Sequence, residues 1–220
     1  MKVLVFDTET TGLPEKGASI YDKDKWPHII QISYILYDLS TNLVLVKDNY
    51  IKIDDSTIID PESFNIHHIS REMLNEKGIN IVVALKEFNE CLNICDIVVG
   101  HNISFDKRMI FVEGFRNKVK QNFTSFISHQ KITKPEFCTM KNTTTFCQME
   151  RIDKNGLPYF KTPSLTELYL KLFPTESLPA NLHNSLVDVL MTIRCYIKFC
   201  YNMDIIEVNE TISDTFRDFC

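Results

Sequence analysis

Asp7 and Glu9 stand one residue apart where the first apolar run of the chain, MKVLVF, ends. On an extended strand side chains alternate with period two, so both carboxylates face the same side. Val3 and Val5 share that face lower down, as core residues would. Two like charges at the end of a buried strand are costly unless something neutralises them. A divalent cation is the usual remedy, and hard carboxylate oxygens suit Mg²⁺ or Mn²⁺. The pair therefore reads as half of a metal site, with a calcium site or a strained turn as the other readings open at this stage.

Asp106 is the next acid of interest. It follows Gly-His-Asn-Ile-Ser-Phe at residues 100–105, just past a short apolar strand. That places it at the start of a helix beside a strand end, where α/β folds position ligands. Taken alone it would read first as a cap on the helix dipole. His183 and Asp188 complete the set. They are five positions apart, which on a helix brings them within ~140° of each other. A histidine at or just before the helix start could swing toward the Asp188 face. Asp188 sits among Leu186, Val187, Val189, Leu190 and Ile193, an apolar setting that rarely keeps an idle carboxylate. Four acids of this kind can hold two Mg²⁺ ions ~3.5–4 Å apart, clamping the attacking and leaving oxygens of a phosphodiester. A histidine that titrates near neutrality can take the proton from the attacking water.

The elements that must position these groups follow from periodicity. Residues 2–7 read as a buried strand. Residues 29–39 and 43–53 read as two strands joined by a Ser-Thr-Asn turn. Pro61 marks a turn into a short helix. Apolar residues at 81, 82, 85, 88 and 92 give a helix over 79–93. Residues 96–100 form a short buried strand, 105–119 a helix with a basic end, and 137–139 another short strand. Residues 122–134 read as a polar loop, and 151–161 as a turn or hairpin insertion. Ser164 and Glu167 form a capping box for a helix to Leu172, and 183–201 is a long helix. This order implies an α/β layer fold around one mixed sheet.

Composition narrows the class. The chain has 220 residues and 44% hydrophobic content, enough for one domain of good size. We expect one domain over 1–205, with a basic loop or hairpin insertion at about 120–162, and a C-terminal tail over 206–220. No run of ~18 apolar residues exists, which argues against a membrane span. The first apolar run is too short for a signal-peptide core, so we expect an intracellular protein, cytoplasmic or nuclear. Seven cysteines without metal-ligand spacing read as reduced thiols. The net charge of −5 hides a local pattern. Residues 114–161 carry nine basic residues against three acidic ones, which reads either as a solvated loop region or as a phosphate-contacting surface.

Three segments together carry a resemblance. Phe-Asp-Thr-Glu-Thr-Thr-Gly-Leu at 6–13, Gly-His-Asn-Ile-Ser-Phe-Asp at 100–106 and His183-x4-Asp188 resemble, in order, the three motifs of the DEDDh family of 3′→5′ exonucleases. The likeness is strongest to the polymerase-proofreading branch of that family and its stand-alone relatives. It extends to Gln31-Ile-Ser33, to residues 60–67 and to residues 163–168, and so runs over about residues 1 to 200. A sister group has tyrosine four residues before the last aspartate, but position 184 here is asparagine. The resemblance implies an RNase H-like fold with a central five-stranded mixed sheet flanked by helices. It implies that Asp7, Glu9 and Asp188 hold one Mg²⁺ or Mn²⁺ and that Asp7 bridges to a second, which Asp106 supports. It makes His183 the general base. It places the terminal nucleotide against Thr8, Gly12 and Leu13, the penultimate one against Asn102 and Phe105, and His67 on the substrate side. His68 stands where the family usually has glycine. The implied activity is release of nucleoside 5′-monophosphates from single-stranded or frayed 3′ ends, with DNA favoured over RNA. A 3′→5′ exoribonuclease and a non-catalytic nucleic-acid-binding module are the alternatives. The short stretch after the last long helix favours a stand-alone enzyme, and a homodimer or a polymerase association stays open.

Overall fold

The computed structural model describes residues 1–127 and 130–219. Cys220, counted above among the thiols, and residues 128–129 of the expected polar loop lie outside them. The strands are β1 (Lys2–Thr10), β2 (Ile29–Asp38), β3 (Leu43–Tyr50), β4 (Ile97–Gly100), β5 (Thr124–Ile127), β6 (Gln130–Thr133), β7 (Glu136–Cys138), β8 (Glu150–Ile152) and β9 (Pro158–Phe160). The helices are α1 (Pro61–His67), α2 (Arg71–Lys77), α3 (Ile81–Ile94), α4 (Ser104–Asn117), α5 (Thr139–Asn142), α6 (Thr144–Cys147), α7 (Leu165–Leu172), α8 (Ser185–Tyr201), α9 (Ile205–Val208) and α10 (Glu210–Arg217).

Five strands form the central sheet in the order β3-β2-β1-β4-β7. β1 pairs antiparallel with β2 and parallel with β4, so the sheet is mixed as expected. The sheet has one apolar cluster on each face. On one side Val3, Val5, Ile35 and Tyr37 pack with α7, α8, α9 and α10. On the other, Leu4, Phe6, Ile32 and Tyr34 pack with α3 and α4. This alternation along β1 decides the site: Asp7 and Glu9 continue the Val3–Val5 face and look toward α8, while Thr8 continues the Leu4–Phe6 face and looks toward α4. A bulge between Glu9 and Thr10 shifts the pairing with β2 at the strand end, a device that re-aims side chains.

Local signals explain most boundaries. Ser164 accepts from the Glu167 amide and Glu167 accepts from the Ser164 amide, so α7 has the expected capping box. Asp60 caps α1 with Pro61 in its first turn. α1 ends on His68 in the left-handed region (φ +57), the conformation for which glycine is the ordinary residue. α8 starts at Ser185, capped by Asn184, and His183 lies just outside it.

Two expectations are corrected. The polar stretch 122–134 is not a loop: β5 and β6 pair as a hairpin, with the hydroxyls of Thr124 and Thr133 3.3 Å apart across it. Threonine's β-branched side chain favours a strand even where apolar alternation is missing. The stretch read as a tail is helical and packed. Ile205 of α9 and Ile212 and Phe216 of α10 are buried in the α8 cluster, the last two because they stand four apart on one helix face. The insertion at 151–161 is a hairpin, β8–β9, as read. The six described cysteines are free thiols and five of them are buried. Among the described residues no helix is long and apolar enough to cross a membrane.

Candidate active site

Asp7, Glu9 and Asp188 converge. Each offers a carboxylate oxygen, and these oxygens lie within 4.8 Å of one another. β1 supplies two of them because period two keeps residues 7 and 9 on the α8 side. α8 supplies the third one turn into the helix, across the sheet end. A buried network fixes how α8 sits. Ser33 and Gln31 on β2 pair with Asp7 and Glu9, and the Ser33 and Ser185 hydroxyls are 2.5 Å apart. The Gln31 amide nitrogen donates to Asp48 and Asn184, and its oxygen accepts from the Ser185 amide. The strand that carries the acids and the helix that faces them are thus tied through their shared neighbour β2.

Asp106 reaches the same place from the opposite side of the sheet. It is 3% exposed. Its Oδ1 accepts from the Thr8 amide at 3.1 Å and the Thr8 hydroxyl at 2.8 Å. The loop before it turns sharply: Asn102 has φ +62, and a Cβ on Gly100 would come within 3.1 Å of the Ile103 side chain. His101 closes this turn, with Nδ1 2.9 Å from the Thr139 hydroxyl and Nε2 3.2 Å from the Pro163 carbonyl. Burial lowers its pKa to about 4. The imidazole is therefore neutral, and its proton sits on Nε2, because a carbonyl only accepts.

Burial raises the pKa of all four acids. Burial first, and then Asp106, Asp188 and Glu9, raise the Asp7 carboxyl well above its ordinary value. Glu9 is pushed up to about 9 by burial and by Asp188 and Asp106. Asp106 rises to about 7, burial outweighing the two Thr8 hydrogen bonds. Asp188 rises to about 6, with burial opposed by neighbouring His183. Among the described residues no lysine or arginine is ion-paired with any of the four. Four clustered carboxylates cannot all ionise unaided, and an oxygen-only donor set is the kind that hard divalent cations take.

The remaining residues named from the sequence fall into two groups. Thr8, Gly12, Leu13, His67 and Phe105 line one groove of about 210 Å³ beside Glu9. Leu13 is 80% exposed at its rim, whereas the Thr8 amide is committed to Asp106. His67 is buried, and its Nδ1 accepts from the Ile69 amide at 2.9 Å. Burial holds its pKa below the ordinary value against the Thr10 carbonyl and beside His68. Asn102 is exposed and lies outside the groove lining. His183 is exposed, at φ +64, close enough to Asp188 to lower its pKa. The groove also takes Asp60, Glu62, Ser63 and Ile66 from α1 and its cap, which sequence reasoning did not single out. The Asp-Pro start of α1 was the available signal.

The basic stretch is divided. Arg116 donates to the carbonyls of Lys23, Trp26 and Pro27, Lys134 to those of Asn93 and Cys95, and Lys161 to Glu167. Lys118, Lys120, Lys131, Lys141, Arg151 and Lys154 are exposed.

Comparison with known proteins agrees with this geometry. A family model described as Exonuclease matches residues 4–196. DNA polymerase III subunit epsilon of Salmonella typhimurium is 36% identical over 103 residues, 47% of this chain and 39% of that protein. The Escherichia coli (strain K12) protein of the same name is 35% identical over the same length. The match thus spans about two fifths of these relatives' length. Among solved structures, E. coli Exonuclease I in complex with a dT13 oligonucleotide superposes with a TM-score of 0.64 at 19% identity, over 90% of this chain and 41% of that one. Exonuclease I from Methylocaldum szegediense gives 0.62 at 16% identity, over 94% and 42%. At that identity the structural likeness speaks for the RNase H-like fold.

Proposed function

Because this chain belongs to the exonuclease family, we propose that it is a metal-dependent 3′→5′ exonuclease. It hydrolyses phosphodiester bonds at single-stranded or frayed 3′ ends, of DNA in preference to RNA. The observation that carries this reading is the convergence of Asp7, Glu9 and Asp188 within 4.8 Å, with buried Asp106 behind them and, among the described residues, no lysine or arginine ion-paired with them. Asp7, Glu9 and Asp188 would hold one Mg²⁺ or Mn²⁺, and Asp7 with Asp106 would support a second. Bound divalent ions supply Lewis-acid stabilisation of the charge that develops on the attacking and leaving oxygens.

The chain's own residues do the rest. The imidazole of His183, free of the helix and beside Asp188, accepts the proton of the attacking water. Asp188, beside it on the first turn of α8, orients that imidazole. Gly12 and Leu13 form the wall against which the terminal nucleotide lies and Phe105 contacts the penultimate one, so that the scissile phosphate faces the acids. Leu13, apolar and exposed at the rim, is suited to part the last base from its neighbour. The exposed lysines and arginines of 118–154 provide sequence-independent contacts to phosphates farther along the strand. The complex of E. coli Exonuclease I with a dT13 oligonucleotide supports this choice of substrate.

The test is a side-by-side digestion of labelled single-stranded DNA, duplex DNA with a mismatched 3′ end, and RNA, with Mg²⁺ and with Mn²⁺. Shortening from the 3′ end with release of 5′-mononucleotides, fastest on single-stranded DNA, is expected. Faster RNA digestion would reassign the substrate, and binding without cleavage in either metal would overturn the enzymatic reading.

A further inference from the structure

Residues 174–184, between α7 and α8, carry His183 as their penultimate residue and have no regular backbone of their own. Asn181 (φ +57) and His183 (φ +64) are both left-handed. Such a stretch needs external fixing to present one side chain reproducibly. Its fixing points are specific. The Glu176 carboxylate accepts from both terminal nitrogens of Arg194, at 2.5 and 2.6 Å. The Ala180 amide donates to the Phe219 carbonyl at 2.6 Å.

Arg194 lies in the middle of α8 and is 1% exposed. Besides Glu176 it donates to both oxygens of Asp204, at 2.9 and 2.6 Å, and to the Tyr169 hydroxyl at 2.5 Å. Asp204 is the N-cap of α9. The guanidinium carbon sits 4.0 Å from the centroid of the Phe173 ring and 5.2 Å from that of Phe216 in α10. Every face and edge of this group is thus used. Its partners come from α7, the 174–184 stretch, α9 and α10. A buried ion pair adds little stability over a well-packed apolar substitute. A planar fork with two carboxylates does impose one relative placement on the segments it joins.

We infer that Arg194 is a positioning residue: through Glu176 it fastens the 174–184 stretch to the C-terminal helices α9 and α10, and so holds His183 against Asp188. This rests on the reading of His183 as the general base. The C-terminal helices then act on the reaction without touching substrate, since they set where the proton acceptor stands. A shift of about 1 Å in such a group can cost ~100-fold in rate.

Glu176→Gln tests it in the full chain with Mg²⁺. The Glu176 side chain is partly exposed and Arg194 keeps Asp204 and Tyr169, so the variant should fold, as its melting curve will show. We expect kcat on single-stranded DNA to fall about tenfold with KM within about twofold. In a His183→Ala background the same change should cost nothing further. Amide exchange should speed up over 177–184 and stay unchanged in the centre of α8. A chain ended after Arg217, which lacks the Phe219 carbonyl, should show the same pattern. An equal kcat loss in both backgrounds, or no kcat loss at all, would overturn the inference. If His183→Ala alone leaves kcat intact, the reading of the base fails instead. The exchange measurement, which needs no substrate, then decides the fastening, and unchanged exchange over 177–184 overturns it.

Discussion

Replacing Asp106 by asparagine should stabilise the metal-free protein while disabling it, and the gain should depend on pH in a defined way. Burial raises the Asp106 carboxyl from 3.8 to about 7, roughly three units, and each unit is worth about 1.4 kcal/mol. The ionised group therefore costs the metal-free fold at most about 4 kcal/mol above pH 7. The sign follows from the folded state holding the proton more tightly than the unfolded one. The group's favourable contribution is complete below about pH 4 and is lost as the pH rises to about 7. Asparagine carries no charge at any pH, and its side-chain oxygen can still accept from the Thr8 amide and hydroxyl. Relaxation of the neighbouring acids should halve the ceiling to about 2 kcal/mol at pH 8, a rise in Tm of roughly 4–8 °C for a chain of this size. At pH 5.5 the gain should be about half as large, because much of the penalty has not yet developed. Thermal melts followed by circular dichroism in EDTA at the two pH values measure this. Saturating Mn²⁺ should shrink or reverse the difference, since the aspartate can bind the cation and the amide binds it poorly. An equal shift at both pH values, or a loss of stability at pH 8 in EDTA, would refute the argument that the four acids are held together against their own repulsion.

Asp7→Ala and Asp188→Ala should each lower cleavage by several orders of magnitude, read from single-turnover release of the 3′ nucleotide; near-normal rates in both would sink the assignment of the metal anchor. Mn²⁺ should bind more tightly at pH 8 than at pH 6 by calorimetry, because Asp188 and Glu9, raised to about 6 and about 9, must lose protons to become ligands; a pH-independent affinity would place the ion elsewhere. Phe216→Ala, which removes a buried ring stacked on Arg194, should cost about 3 kcal/mol in denaturant unfolding, and a cost below ~1 kcal/mol would mean that α10 adds little to the core.

The sequence carried the acids, their order and most of the elements, because those signals are local. Period two put Asp7 and Glu9 on one face, and Val3 and Val5 are indeed buried beneath them. Helical spacing gave α3 and α8, and Ser164 with Glu167 gave the start of α7. The hairpin β5–β6 was missed because its polar residues show no alternation, and α10 because its apolar residues find their partners on distant segments, Phe216 on Tyr169 of α7 and Arg194 of α8. Apart from His67, neither the groove residues of α1 nor the Gln31–Ser33–Ser185 network could be read, since each depends on segments far apart in the chain.

By itself, then, the sequence determined that four carboxylates and a histidine occur on strand ends and helix starts suited to metal chemistry. The tertiary structure decided how they meet. The β3-β2-β1-β4-β7 order sends α4 and α8 to opposite faces of the sheet, so Asp106 and Asp188 approach β1 from both sides, and Asp106 arrives on Thr8, 98 positions away in the chain. His183 stands outside its helix on a stretch fixed by Arg194. Periodicity reports only a few neighbouring residues, whereas these placements are set by long-range packing.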